Sequence, residues 1–323
     1  MGFTKQSRDV RDSGPAQNLD SESYCVNCGR PITASVICGQ CNLDPSIPAE
    51  TLRNHIEGLR GGKRHPSWPV NIVVDGEVSS LVVSLVSITC VLVLVTPLTY
   101  GVVWLPILWV GVALLSYRVR ESRVRMSLLR ATSESNPVVA NVALLSAFRL
   151  DSPPVDVFIQ PDNEPNAYCS GFWGRHWIVL TTPLLEICTP SELLFVIGHE
   201  LGHARREHTS WLLLTSHRRT ITAPIVQDLL RLIFNRWLVK AEYTADRAGL
   251  LACRDLANAV SALGKVHFWG QQVDVERFVE DLNSVSQEPL VRIGEYFSDH
   301  PYFTNRITQL KSFHDDLVRR GVL

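Results

Sequence analysis

His199-Glu200-Leu201-Gly202-His203 sets two imidazoles and a carboxylate at the end of an apolar run, Leu193-Leu194-Phe195-Val196-Ile197. On a helix, residues four apart share a face, with Cβ atoms about 5–6 Å apart. Two histidines so placed can reach one zinc ion through bonds of about 2.0–2.1 Å. Glu200 then points toward the metal's water and is expected to act as general base. A catalytic zinc needs a third protein ligand and one open position. Glu242, in Glu242-Tyr243-Thr244-Ala245-Asp246, is expected to be that ligand. Asp246 falls on the same helical face and is expected to accept the distal N–H of a zinc histidine, fixing its tautomer. A surface carboxylate pair is the competing reading of Glu242 and Asp246; an alanine-rich helical setting downstream of HExxH favours ligation.

A second group of ligand-type residues lies near the N-terminus, as Cys25-Val-Asn-Cys28 and Cys38-Gly-Gln-Cys41. Four thiolates in turn-rich knuckles make a closed, tetrahedral, structural zinc site, and in so small a module the metal would supply the folding energy. Free or redox-active thiols are the competing reading. The other four of the eight cysteines stand among apolar residues, where cysteine acts as a small hydrophobe. Paired CxxC spacing with no wider cysteine framework suits metal binding in a reducing compartment. The expected cofactors are therefore one catalytic and one structural zinc ion.

The elements that must carry these residues follow from composition. Net charge is -1, so no global field favours nucleic acid, and none is expected as a partner. Mean hydropathy is +0.07, and the apolar excess is concentrated in one stretch: no Asp, Glu, Lys or Arg occurs from Val78 to Ser116. A single helix of that length would measure about 58 Å, nearly twice the roughly 30 Å hydrocarbon core. Turn residues at Thr96-Pro97-Leu98-Thr99-Tyr100-Gly101 divide it into two expected membrane helices, about Val78 to Val95 and about Leu98 to Tyr117; a buried hairpin of a soluble domain is the alternative. Arg60, Lys63 and Arg64 precede the hairpin, and Arg118, Arg120, Arg123, Arg125 and Arg130 follow it. Positive charge on both flanks predicts an integral membrane protein with two spans and with both the N-terminus and the catalytic domain in the cytoplasm. The expected organisation is a disordered tail over 1–23, a zinc ribbon over 24–43, a basic Pro- and Gly-rich linker over 44–77, the two spans over 78–117 and a metallopeptidase domain over 118–323. Within that domain Val155 to Gln160 and Trp177 to Thr182 read as strands, and from Ser191 the pattern is mainly helical, giving an α+β class dominated by helices with a small sheet. His208 and His176 read as ordinary polar residues, since five positions beyond His203 a continuous helix has turned off the zinc face.

HELGH together with Glu242-Tyr243-Thr244-Ala245-Asp246 resembles the HtpX and CaaX-prenyl-protease family of membrane zinc metallopeptidases, over about Ser127 to Leu323. The resemblance implies a zincin-type fold and zinc-dependent endopeptidase activity on peptide or membrane-protein substrates beside a lipid bilayer. It further implies that Asn166-Ala167-Tyr168 begins an edge strand pairing with the substrate backbone. Through Ser298-Asp299-His300-Pro301 and Arg306-Ile307 it makes His300 and Arg306 the expected oxyanion donors, with Tyr302 as the alternative. Asp299 and Pro183 depart from the family pattern and leave substrate preference open. The Cys module, which the family layout lacks, is expected to bind a protein partner, sense metal or regulate the enzyme. A catalytically silent membrane adaptor, recruiting partners through that module, is the alternative function.

Overall fold

A computed structural model describes Cys25, residues 37–39, 41, 43–44, 46–60 and 71–95, isolated positions between 108 and 123, and residues 126–215, 224–268 and 303–323. Local sequence sets where its helices begin. Before α1 (Ala49–Arg60) and α2 (Glu77–Val95) the chain turns at Asp44-Ser46 and Asp75-Gly76. Asn136 caps α3 (Pro137–Arg149), its side-chain oxygen accepting from Val139 N at 3.1 Å, with proline at the first helical position where no N–H is missed. A short helix, α4 (Thr182–Ile187), leads to Thr189, which opens α5 (Pro190–Arg205) with a capping box: Thr189 Oγ1 accepts from Glu192 N, and Glu192 accepts from Thr189 N at 2.6 Å. Leu193 to Ile197 are all buried, so this stretch of α5 is covered all round and runs through the interior. Then follow α6 (His208–Thr215), α7 (Pro224–Cys253), α8 (Leu256–His267) and α9 (Phe303–Arg319).

The sheet has four strands, β1 (Leu129–Arg130), β2 (Asp156–Gln160), β3 (Ala167–Phe172) and β4 (Arg175–Thr181), in the order β1-β2-β4-β3. β2 and β4 are parallel; β3 and β4 form an antiparallel hairpin closing at Phe172↔Arg175. Trp173 and Gly174 turn that hairpin with φ of 38° and 77°, and its tip is tied down by Trp173 N donating to Ser210 Oγ and Gly174 N donating to Glu207 Oε1. Period-two alternation along β4 sends Ile178 and Leu180 into the main core and Trp177 and Val179 to the opposite face against Phe158. β3 is left as an edge strand beside α5.

The expected strands appear within a few residues of their predicted bounds. The 44–77 segment does not behave as a linker. Its residues 49–60 form α1, whose Leu52, Ile56 and Leu59 are spaced for one apolar face; Leu52 and Ile56 are buried in the same core as α3 and α5. Pro48 stands just before the first helical residue, Ala49, where it interrupts nothing. The Cys segment is likewise packed against the rest of the chain: Ile37 and Leu43 enter the main core, and Asn141 donates to Cys41 O at 2.8 Å. The first expected membrane helix corresponds to α2. Among the described residues no helix is long and apolar enough to cross a membrane, and the side chains of α2 are described without a break only from Glu77 to Val91. The tail 1–23, Cys28, the turn at 96–101 and most of 98–117 lie outside the described residues.

Arg149 couples the N-terminal segment to α7. Its Nη2 donates to Asp44 Oδ2 at 2.8 Å and its Nη1 to Ala252 O at 2.8 Å, both in the interior. Burial alone would raise the Asp44 carboxyl, but Ser46 and Arg149 outweigh it and hold the pKa below its ordinary value. A carboxylate lowered on folding adds stability above its unfolded pKa, about 3.9, and that contribution disappears as acid protonates the folded form. Asp44→Asn should therefore cost about 3 kcal/mol at neutral pH, the scale for breaking a buried pair. Urea melts should show the gap to wild type closing below about pH 4; a gap constant down to pH 3 would show that the charge of Asp44 contributes nothing.

Candidate metal centre

α5 and α7 cross at unusually close range because both carry small residues at the contact. A Cβ built on Gly198 would meet Ala252 Cβ at 2.5 Å, and one on Gly202 would meet Ala248 Cβ at 2.8 Å and Ala245 Cα at 3.1 Å. This crossing presents the histidine face of α5 to the carboxylate face of α7. His199 Nε2 and His203 Nε2 lie 3.1 Å apart, Glu242 Oε1 is 3.5 Å from His203 Nε2, and Glu242 Oε2 is 3.8 Å from His199 Nε2. The structure thus brings together the three residues expected to bind metal, their ligand atoms within 4.8 Å of one another.

The hydrogen bonds behind these atoms settle which nitrogens carry protons. His199 Nδ1 lies 3.0 Å from Asp246 Oδ1, and an ionised carboxylate only accepts. As a neutral imidazole, the form that can bind metal, His199 therefore holds its proton on Nδ1 and turns a lone pair inward from Nε2. His203 Nδ1 meets His208 Nδ1 at 3.0 Å, and His208 Nε2 meets Glu77 Oε1 at 3.2 Å. With neutral imidazoles the same logic runs outward: His208 donates from Nε2 to Glu77 and accepts at Nδ1, so His203 donates from Nδ1 and keeps a second inward lone pair on Nε2. Two lone pairs and a carboxylate facing one another at 3.1–3.8 Å repel unless a proton or a metal cation lies among them. Tetrahedral zinc with bonds of about 2.0–2.2 Å holds its ligands about 3.3–3.6 Å apart, so the donor set fits zinc in kind, number and spacing.

Charge around the site is arranged accordingly. Burial opposes the imidazolium form of His199, yet Asp246, Glu242 and Glu200 outweigh it and raise the pKa. Burial, with His199 next, drives His203 far down. Burial also lifts the Glu200 carboxyl above its ordinary value, with Glu242 adding to the shift, against His199, the Cys169 N–H and Arg306. Asp246 would be raised by burial, but Arg306 and His199 hold it low.

Arg306, the expected oxyanion donor, faces the carboxylates of α7. From α9 its Nε donates to Asp246 Oδ2 at 2.9 Å and its Nη2 to Asp246 Oδ1 at 2.6 Å, while Nη1 lies 3.4 Å from Glu242 Oε2. It holds both carboxylates of α7 in place. His300 and Tyr302 lie outside the described residues.

Asn166 enters the edge hairpin by donating from its N–H to Thr181 Oγ1 at 2.7 Å and accepting from Thr181 N at 3.0 Å. Antiparallel alternation then turns the backbone groups of Ala167 and Cys169 toward the open edge of β3, and the Cys169 N–H indeed donates to Glu200. Tyr168 instead faces the sheet, its hydroxyl bonded to Gln160 Oε1 at 2.9 Å. The free edge of β3 therefore runs alongside the general-base candidate.

Sequence spacing missed His208. α5 ends at Arg205, Glu207 adopts φ of 57°, and α6 restarts the helix at His208, which carries that imidazole back beneath His203. His176 takes no part; its Nε2 lies 3.3 Å from Glu207 Oε2. Cys25, Cys38 and Cys41 form a second ligand cluster, with Cys25 Sγ 3.6 Å from Cys41 Sγ. Burial, reinforced by the neighbouring thiols, pushes the Cys41 thiol to about 12. So high a value keeps the thiol protonated unless a cation is present.

Comparison with known proteins agrees with this geometry. The family described as Peptidase family M48 matches residues 132–314. Over 186 residues the chain is 34% identical to "Plastoglobule-localized metallopeptidase 48, chloroplastic" of Arabidopsis thaliana, covering 52% of this chain and 54% of that protein. It is 27% identical over 229 residues to "Protease HtpX homolog" of Moorella thermoacetica, covering 59% of this chain and 75% of that one. "Protease HtpX homolog 2" of Methanosarcina acetivorans is 27% identical over 203 residues, covering 52% and 69%. The chain thus spans about half the length of the plastoglobule relative.

Proposed function

This chain belongs to peptidase family M48, in its HtpX-type branch, and from that premise we propose that it is a zinc-dependent endopeptidase anchored at a membrane. The observation that carries the reading is the convergence of two imidazole lone pairs and one carboxylate at 3.1–3.8 Å, each backed by a buried partner. His199, His203 and Glu242 hold the zinc. When bound, zinc supplies Lewis acidity at the scissile carbonyl and an acidified water. Glu200 takes the proton of the attacking water and returns it to the leaving amine. The substrate lies antiparallel to β3, bonded to the outward backbone groups of Ala167 and to the Cys169 carbonyl, the Cys169 N–H being held by Glu200, so recognition is mainly by main chain with side chains read at alternate positions. Arg306 and Asp246 keep Glu242 and His199 from turning away.

Membrane attachment is supported by α2: Val78, Val82, Val83, Val86, Val91 and Val93 are exposed, while Leu81, Leu85 and Ile88 pack against Phe234, Trp237 and neighbours. A valine-lined outer face suits lipid. The Cys cluster holds a second, structural ion that clasps the N-terminal segment onto α3.

Removing metal tests the reading. A strong chelator should abolish cleavage of an unfolded model protein, and stoichiometric zinc should restore it. Undiminished cleavage by the chelated protein would refute the assignment.

A further inference from the structure

Glu77 is the first residue of α2, the helix proposed to lead into the membrane, and its carboxylate is only 3% exposed. Burying a carboxylate is costly unless it is fully hydrogen-bonded. Glu77 is held from three elements: His208 Nε2 at 3.2 Å from α6, the Thr244 hydroxyl from α7, and Arg206 Nη2 at 3.6 Å from the α5–α6 turn. Thr244 also accepts from Val74 N at 3.1 Å, so the chain just before α2 is fastened to the same point. His208 is 1% exposed and meets Trp237 edge-on, with ring centroids 5.8 Å apart. The result is a continuous buried line from α2 through His208 to His203. Its geometry parallels the direct His199–Asp246 contact at 3.0 Å. Each histidine thus has a carboxylate behind it, one in direct contact and the other through an intervening imidazole.

We propose that Glu77 and His208 are positioning residues for His203, making the first residue of the membrane-proximal helix a working part of the metal site. Resting on the zinc-peptidase reading above, this assigns α2 a second duty: how it sits against α6 and α7 sets how well His203 binds metal. Partners behind a metal-binding histidine fix its ring and tautomer, and their loss commonly weakens metal binding 10–100-fold. Glu77 acts on His203 through orientation alone; it touches neither metal nor substrate.

The test uses the full chain in detergent or lipid, with Zn2+ affinity read by chelator competition and the visible bands of the Co2+ form as a spectroscopic probe. Glu77→Gln and His208→Phe should weaken Zn2+ binding at the histidine site by about 10–100-fold and shift the cobalt bands, while Glu77→Asp recovers part of the loss. Ser84→Ala is the control for seating of α2, since Ser84 Oγ donates to Ile233 O at 2.8 Å and lies outside the line to His203; it should leave affinity and spectrum at wild-type values. The folded fraction of each variant is followed by near-ultraviolet circular dichroism. Should Glu77→Gln not fold, Glu77→Asp and His208→Phe carry the test. Wild-type affinity and cobalt spectrum in folded variants would overturn the proposal, as would an equal loss in Ser84→Ala. Metal binding at the histidine site that is unchanged in Glu242→Ala would instead overturn the underlying zinc-site reading.

Discussion

Glu200→Gln is expected to lower the rate of peptide cleavage by about 10²–10⁴-fold, the contribution of a positioned general base, with metal content unchanged. The amide is isosteric and keeps an oxygen to accept the Cys169 N–H, so the edge strand and α5 have no reason to move. His199, His203 and Glu242 remain as they are, and zinc stoichiometry should match wild type. What disappears is proton transfer, since an amide cannot accept the proton of the attacking water. Single-turnover cleavage of an unfolded substrate, measured beside metal analysis of the same sample, separates the two effects. Cleavage at the wild-type rate would remove Glu200 from the chemistry, whereas loss of zinc together with activity would mean that it supports the site rather than reacts there.

The placement of these residues shows which parts of the site were readable in the sequence. Positions 199 and 203, and 242 and 246, share helical faces by simple periodicity, and each pair lies within one unbroken helix, so spacing sufficed. His208 also touches His203, a contact that counting along a continuing helix does not give. Glu207 in the left-handed region breaks that count, and a residue expected off the face returns beneath it. Arg306 was readable as a site residue but not as a clamp on α7, because its direction depends on how α9 packs through Phe303, Ile307, Leu310, Phe313 and Leu317. The 44–77 segment misled for a different reason. Its prolines and glycines read as linker signals, but the amphipathic spacing of Leu52, Ile56 and Leu59 within it carries a helix. No local pattern encodes the Asp44–Arg149–Ala252 connection, which exists only after α1, α3 and α7 have docked.

Segments that read as attachments to the peptidase domain, the Cys module and the start of α2, are fastened to α7, which bears Glu242, and to α6. Arg149 reaches the last turn of α7 from one side, and Glu77 reaches Thr244 on α7 and His208 on α6 from the other. The metal site depends on the distance between α5 and α7, so anything that moves α7 moves Glu242.

Widening the α5–α7 crossing should therefore be the most damaging change outside the ligands. In an exposed helix interior, Gly→Ala stabilises by about 0.5–1 kcal/mol because alanine loses less backbone entropy. Gly58 on α1 has nothing within 4 Å of where its Cβ would lie, and Gly58→Ala should follow that rule. At Gly202 the sign reverses. Its new methyl would stand 2.8 Å from Ala248 Cβ and 3.1 Å from Ala245 Cα, atoms with no rotamer to swing aside, so α7 must retreat by about 1 Å to restore ordinary contact. Overpacking of this kind costs about 1–3 kcal/mol, and Gly198→Val, directed at Ala252 Cβ at 2.5 Å, should cost at least as much. The retreat also carries Glu242 away from histidines that are already 3.5 and 3.8 Å distant, beyond what one tetrahedral ion can span. Gly202→Ala should thus lower the melting temperature and weaken zinc binding at least tenfold, while Gly58→Ala raises the melting temperature and leaves zinc binding alone. If Gly202→Ala were as stable and as zinc-avid as the Gly58 variant, close approach of the two helices would not be what holds Glu242 against the histidines.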